Sequence, residues 1–441
     1  MTNVVLTGLA RELARRADEG RPVRIGVIGS GEMGTDLVTQ CMLMKGVTLS
    51  AIATRRPATA KHAIEIAYGE TSRFAEIESQ SAATAAIEAG RIAVTRPDVM
   101  VANPLIDVIV DATGKPGVAA DFDLMAMQNG KHVVMMNVEA DVTIGVWLKK
   151  QAENLGVVYS VGAGDEPSSC MELIEFASAL GYTIVSAGKG KNNPLNHDAV
   201  PDDYREEAER RNMNPRMLVE FVDGSKTMVE MCAIANATGL VPDVPGMHGP
   251  NAGRDTLAKI LIPREHGGVL SKKGVVDYTV GKGVAPGVFV VVEATHPRII
   301  ERMDDLHVGT GPYYAFHRPY HLTSLEVPLT CARAVLTGKP DMVPLDVPVA
   351  EVCAVAKRDL VPGERLDSIG ETMYRSWTMT AGEAAAARAV PCGLLEGGRV
   401  FAPVRKGELL TSANAAPDRS TKLYELRQLQ EELVARLSGA E

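Results

Sequence analysis

Six consecutive residues limit the folding options of this chain more than any others: Gly29-Ser30-Gly31-Glu32-Met33-Gly34. They follow Val23-Arg24-Ile25-Gly26-Val27-Ile28, a short strand with apolar residues on both faces, and they open a helical pattern at Met33, Leu37, Val38, Cys41 and Met42. A G-x-G-x-x-G turn between a strand and a helix is the entry to a dinucleotide-binding βαβ unit. The first glycine allows the tight turn and the second lets backbone N–H groups approach a pyrophosphate. The third lets the helix, with its N-terminus facing the anion, lie close on the sheet. Gly29, Gly31, Glu32, Met33 and Gly34 are therefore the candidate phosphate cradle. An ordinary glycine-rich βα turn is the alternative.

The next strand, Thr48 to Ala53, ends in Thr54-Arg55-Arg56 rather than in the acid that an NAD enzyme places on the ribose hydroxyls. Two guanidiniums suit a 2′-phosphate by charge and by bidentate geometry, so NADPH is expected; a solvated basic turn is the other reading. Strands at 106–111, 133–136 and 157–161 alternate with helical segments, which implies a parallel, doubly wound sheet over residues 1–160. Ligands sit at the carboxyl ends of such strands, which places Thr113, Asn137 and Glu139 near the nicotinamide; a cap role suits Asn137 equally well.

From Gly162 the pattern changes. Residues 161–340 read as an α+β catalytic and dimerisation domain whose last helix packs back on the first domain, and residues 341–441 as a β-rich module with a final helix at 422–437. Gly188-Lys189-Gly190-Lys191-Asn192-Asn193 joins lysines, glycines and amides, as a loop gripping phosphate or polyol oxygens requires; a solvated turn is the alternative. The helix 225–238 is apolar nearly all round, hence buried, yet carries Lys226 and Glu230. Either Lys226 is catalytic or it forms an i,i+4 pair with Glu230. The run 202–212 alone resembles a solvated surface helix; within it Asp203 and position 208 join Lys226 and Lys191 as acid–base candidates. Phe316-His317-Arg318-Pro319-Tyr320-His321 is the densest His, Arg and Tyr cluster, suited to an anion or a proton transfer, with a structural interface cluster as the alternative.

Composition removes other classes. The 441 residues carry a net charge of −9, so binding a phosphate backbone or an anionic membrane has no electrostatic basis. No stretch approaches the roughly 18 apolar residues of a membrane span. The six cysteines form no C-x-x-C pair and read as buried thiols in a reducing compartment, so a cytoplasmic location is expected.

Two resemblances follow from these segments. Residues 23–240 resemble the homoserine dehydrogenase family through Asn129-Gly130-Lys131-His132-Val133-Val134, the glycine loop at 162–164, Gly188 to Asn193 and the helix of Lys226, which falls where that family carries its catalytic lysine. Val138 and Val158 depart from it, standing where the family has a Lys and a Glu. Over nearly its whole length, through 135–145, 162–176, 187–195 and 316–327, the chain also resembles a deoxyxylulose-phosphate reductoisomerase-like family with a C-terminal SAF (β-clip) domain. That resemblance implies NADPH-dependent conversion of 1-deoxy-D-xylulose 5-phosphate to 2-C-methyl-D-erythritol 4-phosphate in isoprenoid precursor synthesis, with a divalent cation (Mg²⁺ or Mn²⁺) and a homodimer. Under it Asp165 and Glu166 become the metal ligands, with a helix cap as their alternative. Lys189, Lys191, Asn192, Asn193, His317, Arg318 and Tyr320 then hold the sugar phosphate. The competing expectations are a homoserine-dehydrogenase-like oxidoreductase acting on another polyol phosphate or small hydroxy substrate, and a non-catalytic NADPH sensor.

Overall fold

The computed structural model describes residues 5–211 and 213–439. They form two compact units: residues up to Asp165 with Leu322–Val343, and Glu166–His321 with Pro344 onward. The C-terminal segment, expected as a third domain, is thus grouped with the middle one.

The first unit is built on a seven-stranded parallel sheet. Its strands are β1 (Val23–Ile28), β2 (Val47–Ala53), β3 (Phe74–Glu76), β4 (Ile92–Thr95), β5 (Val108–Asp111), β6 (His132–Met135) and β7 (Tyr159–Val161), in the order β3-β4-β2-β1-β5-β6-β7. Both faces are covered, which is why β1 and β5 are apolar nearly throughout: Val23, Ile25, Val27, Val108, Ile109 and Val110 are all fully buried. Order reverses between β1 and β5, so the crevice at their carboxyl ends is the place for a ligand. β3 and β4 are too short to announce themselves by periodicity. A first helix runs Gly8–Asp18 and buries Leu13. The helix Val327–Thr337 belongs to this unit, with Val327, Cys331 and Ala332 in its core beside Val110 and Val134.

The second unit has a five-stranded mixed sheet in the order β12-β11-β8-β10-β9, where β8 is Thr183–Gly190, β9 Val241–Pro242, β10 Val275–Thr279, β11 Val288–Glu293 and β12 Tyr313–Arg318. The expected loop beginning at Gly188 therefore starts three residues later, at Lys191: Gly188, Lys189 and Gly190 are strand residues paired with β10, and Gly188 and Lys189 pair also with β11. Neighbouring backbone comes so close that only glycine fits. A Cβ at Gly188 would fall 1.7 Å from the Asp277 carbonyl oxygen, and one at Gly190 2.3 Å from the Ala285 nitrogen. The helix Ser225–Thr238 is buried on every face, as its composition requires.

In the C-terminal segment β13 (Ala350–Ala356) pairs antiparallel with β14 (Tyr374–Thr380), and the final helix spans Lys422–Leu437. Beyond β13 the chain is an irregular run joined through isolated bridges, Leu360 to Val404 and Arg365 to Arg399. All six cysteines are free and buried. No described helix is long and apolar enough to cross a membrane.

Gly188→Ala is expected to lower stability by about 3 kcal/mol or more, because strand pairing must open to admit the methyl group; thermal unfolding of the variant checks it.

Candidate functional site

In the first unit the three glycines divide their work as the turn demands. Gly29 has φ +112°, and a Cβ there would sit 2.8 Å from the Ala112 carbonyl oxygen. A Cβ at Gly34 would sit 2.6 Å from the Gly29 oxygen, so this residue sets how closely the helix Glu32–Leu43 approaches the turn. Gly31 meets nothing within 4 Å; it caps the helix and leaves open the space an anion needs. Glu32 is exposed and Met33 half-buried in the first turn of that helix. Ser30 Oγ lies 3.0 Å from Thr54 Oγ1 and 2.5 Å from Thr59 Oγ1, tying the glycine turn to the end of β2. Arg55 and Arg56 are exposed there, and neither forms an ion pair among the described residues.

At the carboxyl end of β5, Thr113 Oγ1 donates to Asp111 Oδ1 (2.6 Å), and Asn137 Nδ2 donates to Asp111 Oδ2 (2.8 Å) and to the Lys115 carbonyl (2.9 Å). Asn137 Oδ1 accepts from Ala140 N at 3.2 Å, so the fully buried Asn137 caps the helix Val138–Leu155. Burial pushes the Asp111 carboxyl up to about 6, although Thr113 and Asn137 act in the opposite sense.

The second unit gathers its charges around Lys189. Lys189 Nζ lies 2.5 Å from Glu166 Oε1 and bonds also to Glu230 Oε2, and His321 Nε2 lies 3.5 Å from the same Glu166 oxygen. Lys189 and Glu230 are all but cut off from water. Burial works against charge on Lys189, but the two carboxylates outweigh it and hold the ammonium charged. Burial, with the neighbouring Glu166, raises the Glu230 carboxyl, while Lys189 and Lys226 oppose the rise. Besides the charge of Lys226, the partner that helix spacing expects, Glu230 accepts a hydrogen bond from Lys189, on a different element. Lys226 stands half-buried in the first turn of the same helix, near enough to act on the Glu230 charge. Lys191 is also buried, with Nζ donating to the Phe221 carbonyl. Its pKa is brought down to about 8, first by burial and then by Lys189, against Asp223 and Glu230.

Other candidates are placed elsewhere or already engaged. Asn192 is exposed; Asn193 Oδ1 accepts from Arg211 at 3.2 Å. Asp203 is exposed on a short 3₁₀ turn. Position 208 is Ala208, buried in a small core with Ala199, Leu218, Val219 and Val222, so no acid–base group exists there. His317 Nε2 is 3.0 Å from the Val284 carbonyl. Arg318 donates to Ser169 (3.1 Å) and Glu172 (3.0 Å) and stacks on the exposed Tyr320. Asp165 is the last residue of the first unit before the chain passes to Glu166.

Two family models match, the NAD-binding domain of homoserine dehydrogenase over residues 26–162 and the catalytic domain of oxidoreductase DRL over residues 164–327. The protein is an oxidoreductase that uses a nicotinamide dinucleotide. No curated protein matches. Among solved structures, a probable dehydrogenase from Thermotoga maritima is 14% identical, with 72% of this chain and 90% of that one covered and a TM-score of 0.40. A myo-inositol dehydrogenase from Corynebacterium glutamicum is 14% identical over 72% and 89% of the two chains, with a TM-score of 0.41. A 3-ketoreductase from Actinomadura kijaniata, in complex with NADP, is 16% identical over 72% and 91%, with a TM-score of 0.39. The expected membership of a deoxyxylulose-phosphate reductoisomerase-like family is overturned: the models that match describe a homoserine dehydrogenase cofactor domain and an oxidoreductase catalytic domain. The isoprenoid pathway falls with it. The SAF reading of residues 341–441 has no support from either model, since neither extends past residue 327.

Lys191 yields a pH-dependent expectation. The folded chain holds this proton less tightly than an unfolded chain, in which lysine titrates near 10.5, so stability should rise as pH climbs from about 8 to about 10.5. Lys191→Met is expected to remove up to about 3 kcal/mol of that rise, read from denaturant unfolding at pH 7.5 and 10.5.

Proposed function

We propose that the protein is an NADP-dependent dehydrogenase or reductase that interconverts a hydroxyl and a carbonyl on a small polar substrate, a polyol phosphate or a hydroxy compound, without rearranging its carbon skeleton. The observation that carries this reading is Lys226, half-buried beside Glu230 on a helix buried on every face, in the stretch matched by the oxidoreductase catalytic model. A carbonyl that gains a hydride becomes an alkoxide and needs a proton. Lys226 Nζ donates it during reduction and accepts it during oxidation. As an ammonium it also steadies the developing negative oxygen.

A nicotinamide dinucleotide, when bound, supplies the hydride. Gly29, Gly31 and the N-terminus of Glu32–Leu43 suit its pyrophosphate. Arg55 and Arg56 suit a 2′-phosphate, with charge and a bidentate fork and no acid beside them on β2 to serve a ribose hydroxyl.

A divalent cation on Glu166 would compete with the Lys189 ammonium. Glu166 Oε1 already holds the Lys189 ammonium at 2.5 Å, so a second cation on this carboxylate meets repulsion from a charge a few ångströms away. Hydride and proton transfer need no cation.

Cofactor fluorescence titration should show NADPH bound at least about ten-fold more tightly than NADH, with the preference erased in Arg55→Ala/Arg56→Ala. NADPH absorbance, followed across a panel of keto and hydroxy sugar phosphates and hydroxy acids, should give turnover that chelation with EDTA leaves unchanged. Lys226→Met should lower kcat by about 10²- to 10⁴-fold with NADPH affinity intact. Near-normal turnover in that variant would remove Lys226 from the mechanism.

A further inference from the structure

β14 lies along the start of the helix that carries Lys226: Ser376 N donates to Ser225 Oγ (2.9 Å), and Thr378 Oγ1 donates to the Met228 carbonyl (2.7 Å). The neighbouring residue, Arg375, belongs to the C-terminal segment that neither family model covers. Its guanidinium sits 4.5 Å over the Trp377 ring. The indole is itself fixed. His197 meets it edge-on at 6.2 Å, and Gly246 lies so close that a Cβ there would be 2.1 Å from the ring.

Arg375 Nη1 is buried and has no hydrogen-bond partner among the described residues. A guanidinium carries five donors, and a charged donor removed from water without an acceptor is among the costlier features a folded chain can hold. Such a group is retained where something else completes it. The nearby acids do not: Asp223 is taken by Lys357 Nζ at 2.7 Å and by Ser225 N at 2.8 Å, and Asp198 by Lys406 Nζ at 2.6 Å. Burial lowers the Arg375 pKa, opposed by Asp223, Asp198 and Tyr278, so the group stays a cation.

We propose that Arg375 binds an oxyanion of the substrate, a phosphate or a carboxylate, through the unfilled edge of its guanidinium. This rests on the oxidoreductase reading for the word substrate. It extends that reading by placing a specificity-determining residue in the C-terminal segment. Trp377 stacks against the fork, and a planar fork donates to two oxygens of one anion where a lysine offers a point charge. Arg318, the arginine that motif density singles out, is committed to Glu172 and Ser169, whereas Arg375 is not so committed.

The test uses the full chain saturated with NADPH, which keeps the glycine turn occupied. Calorimetric titrations with inorganic phosphate and with malonate are run on wild type, Arg375→Met and Arg375→Lys. Wild type should bind at least one of the two anions. Arg375→Met should weaken that binding about ten-fold or more, and Arg375→Lys should weaken it less. Preference for phosphate or for malonate tells which oxyanion the edge takes, and either supports the proposal. Equal anion affinity in wild type and both variants overturns it, as does the absence of binding of either anion to wild type. If Arg375→Met fails to fold, Arg375→Lys carries the comparison, and a value equal to wild type in that variant then counts against the fork. NADPH affinity, measured on the same samples, separates the two failures. Loss of cofactor binding in wild type refutes the oxidoreductase reading, while intact cofactor binding with Arg375-independent anion binding refutes only this inference.

Discussion

One buried ammonium organises the catalytic unit. Lys189, on the central strand of the five-stranded sheet, joins Glu166, from the helix Glu166–Ala179, to Glu230, from the helix Ser225–Thr238. Taking three ionisable groups out of water is tolerable only when each compensates another. Removing the ammonium would strand two carboxylates and cost about 3–5 kcal/mol. Burial first, and then the neighbouring Glu166, is why Glu230 holds its proton more firmly than an exposed glutamate does. Effects spread outward along the strand: the charge on Lys189 helps to bring the pKa of Lys191 down, two residues on.

The sequence exposed the cofactor turn because each glycine there does a local steric job. Gly29, Gly31 and Gly34 need no distant partner to be recognised; the spacing itself states the geometry. The Lys189 triad was hidden for the opposite reason. Its members come from positions 166, 189 and 230, and helix periodicity offers Lys226, not Lys189, as the partner of Glu230. Gly188 and Gly190 misled in the same way. Glycines near lysines look like a loop, yet here they mark strand positions where neighbouring backbone comes within a Cβ of contact. Arg375 carried no signal at all, since a lone arginine in a strand becomes distinctive only once its acidic neighbours are seen to be taken.

The C-terminal segment shows how polar bonds can attach what hydrophobic patterning leaves unmarked. Asn236 Oδ1 accepts from Val349 N and Ala350 N, both at 2.9 Å, and its carbonyl accepts from Leu345 N at 2.7 Å. Lys357 Nζ reaches Asp223 and the carbonyls of Ala199 and Glu371. Arg427, on the final helix, is nearly buried against Glu351 at 2.5 Å. These are directional links between single residues far apart in sequence. They make residues 344–441 part of the unit that bears Lys226.

The first unit is assembled from two separated stretches, and this sets an order on its birth. Residues 322–343 lay the helix Val327–Thr337 into the same core as β1 and β5, and Met342 accepts from Val161 N at 2.9 Å. When the ribosome has released the whole parallel sheet, the surface that Val327, Cys331 and Ala332 will cover is still bare. It stays so until more than 150 further residues have been made. At about 5–20 residues per second, that is a delay of roughly ten seconds or more. The nascent sheet must wait with apolar surface open, a period in which a chaperone has something to hold.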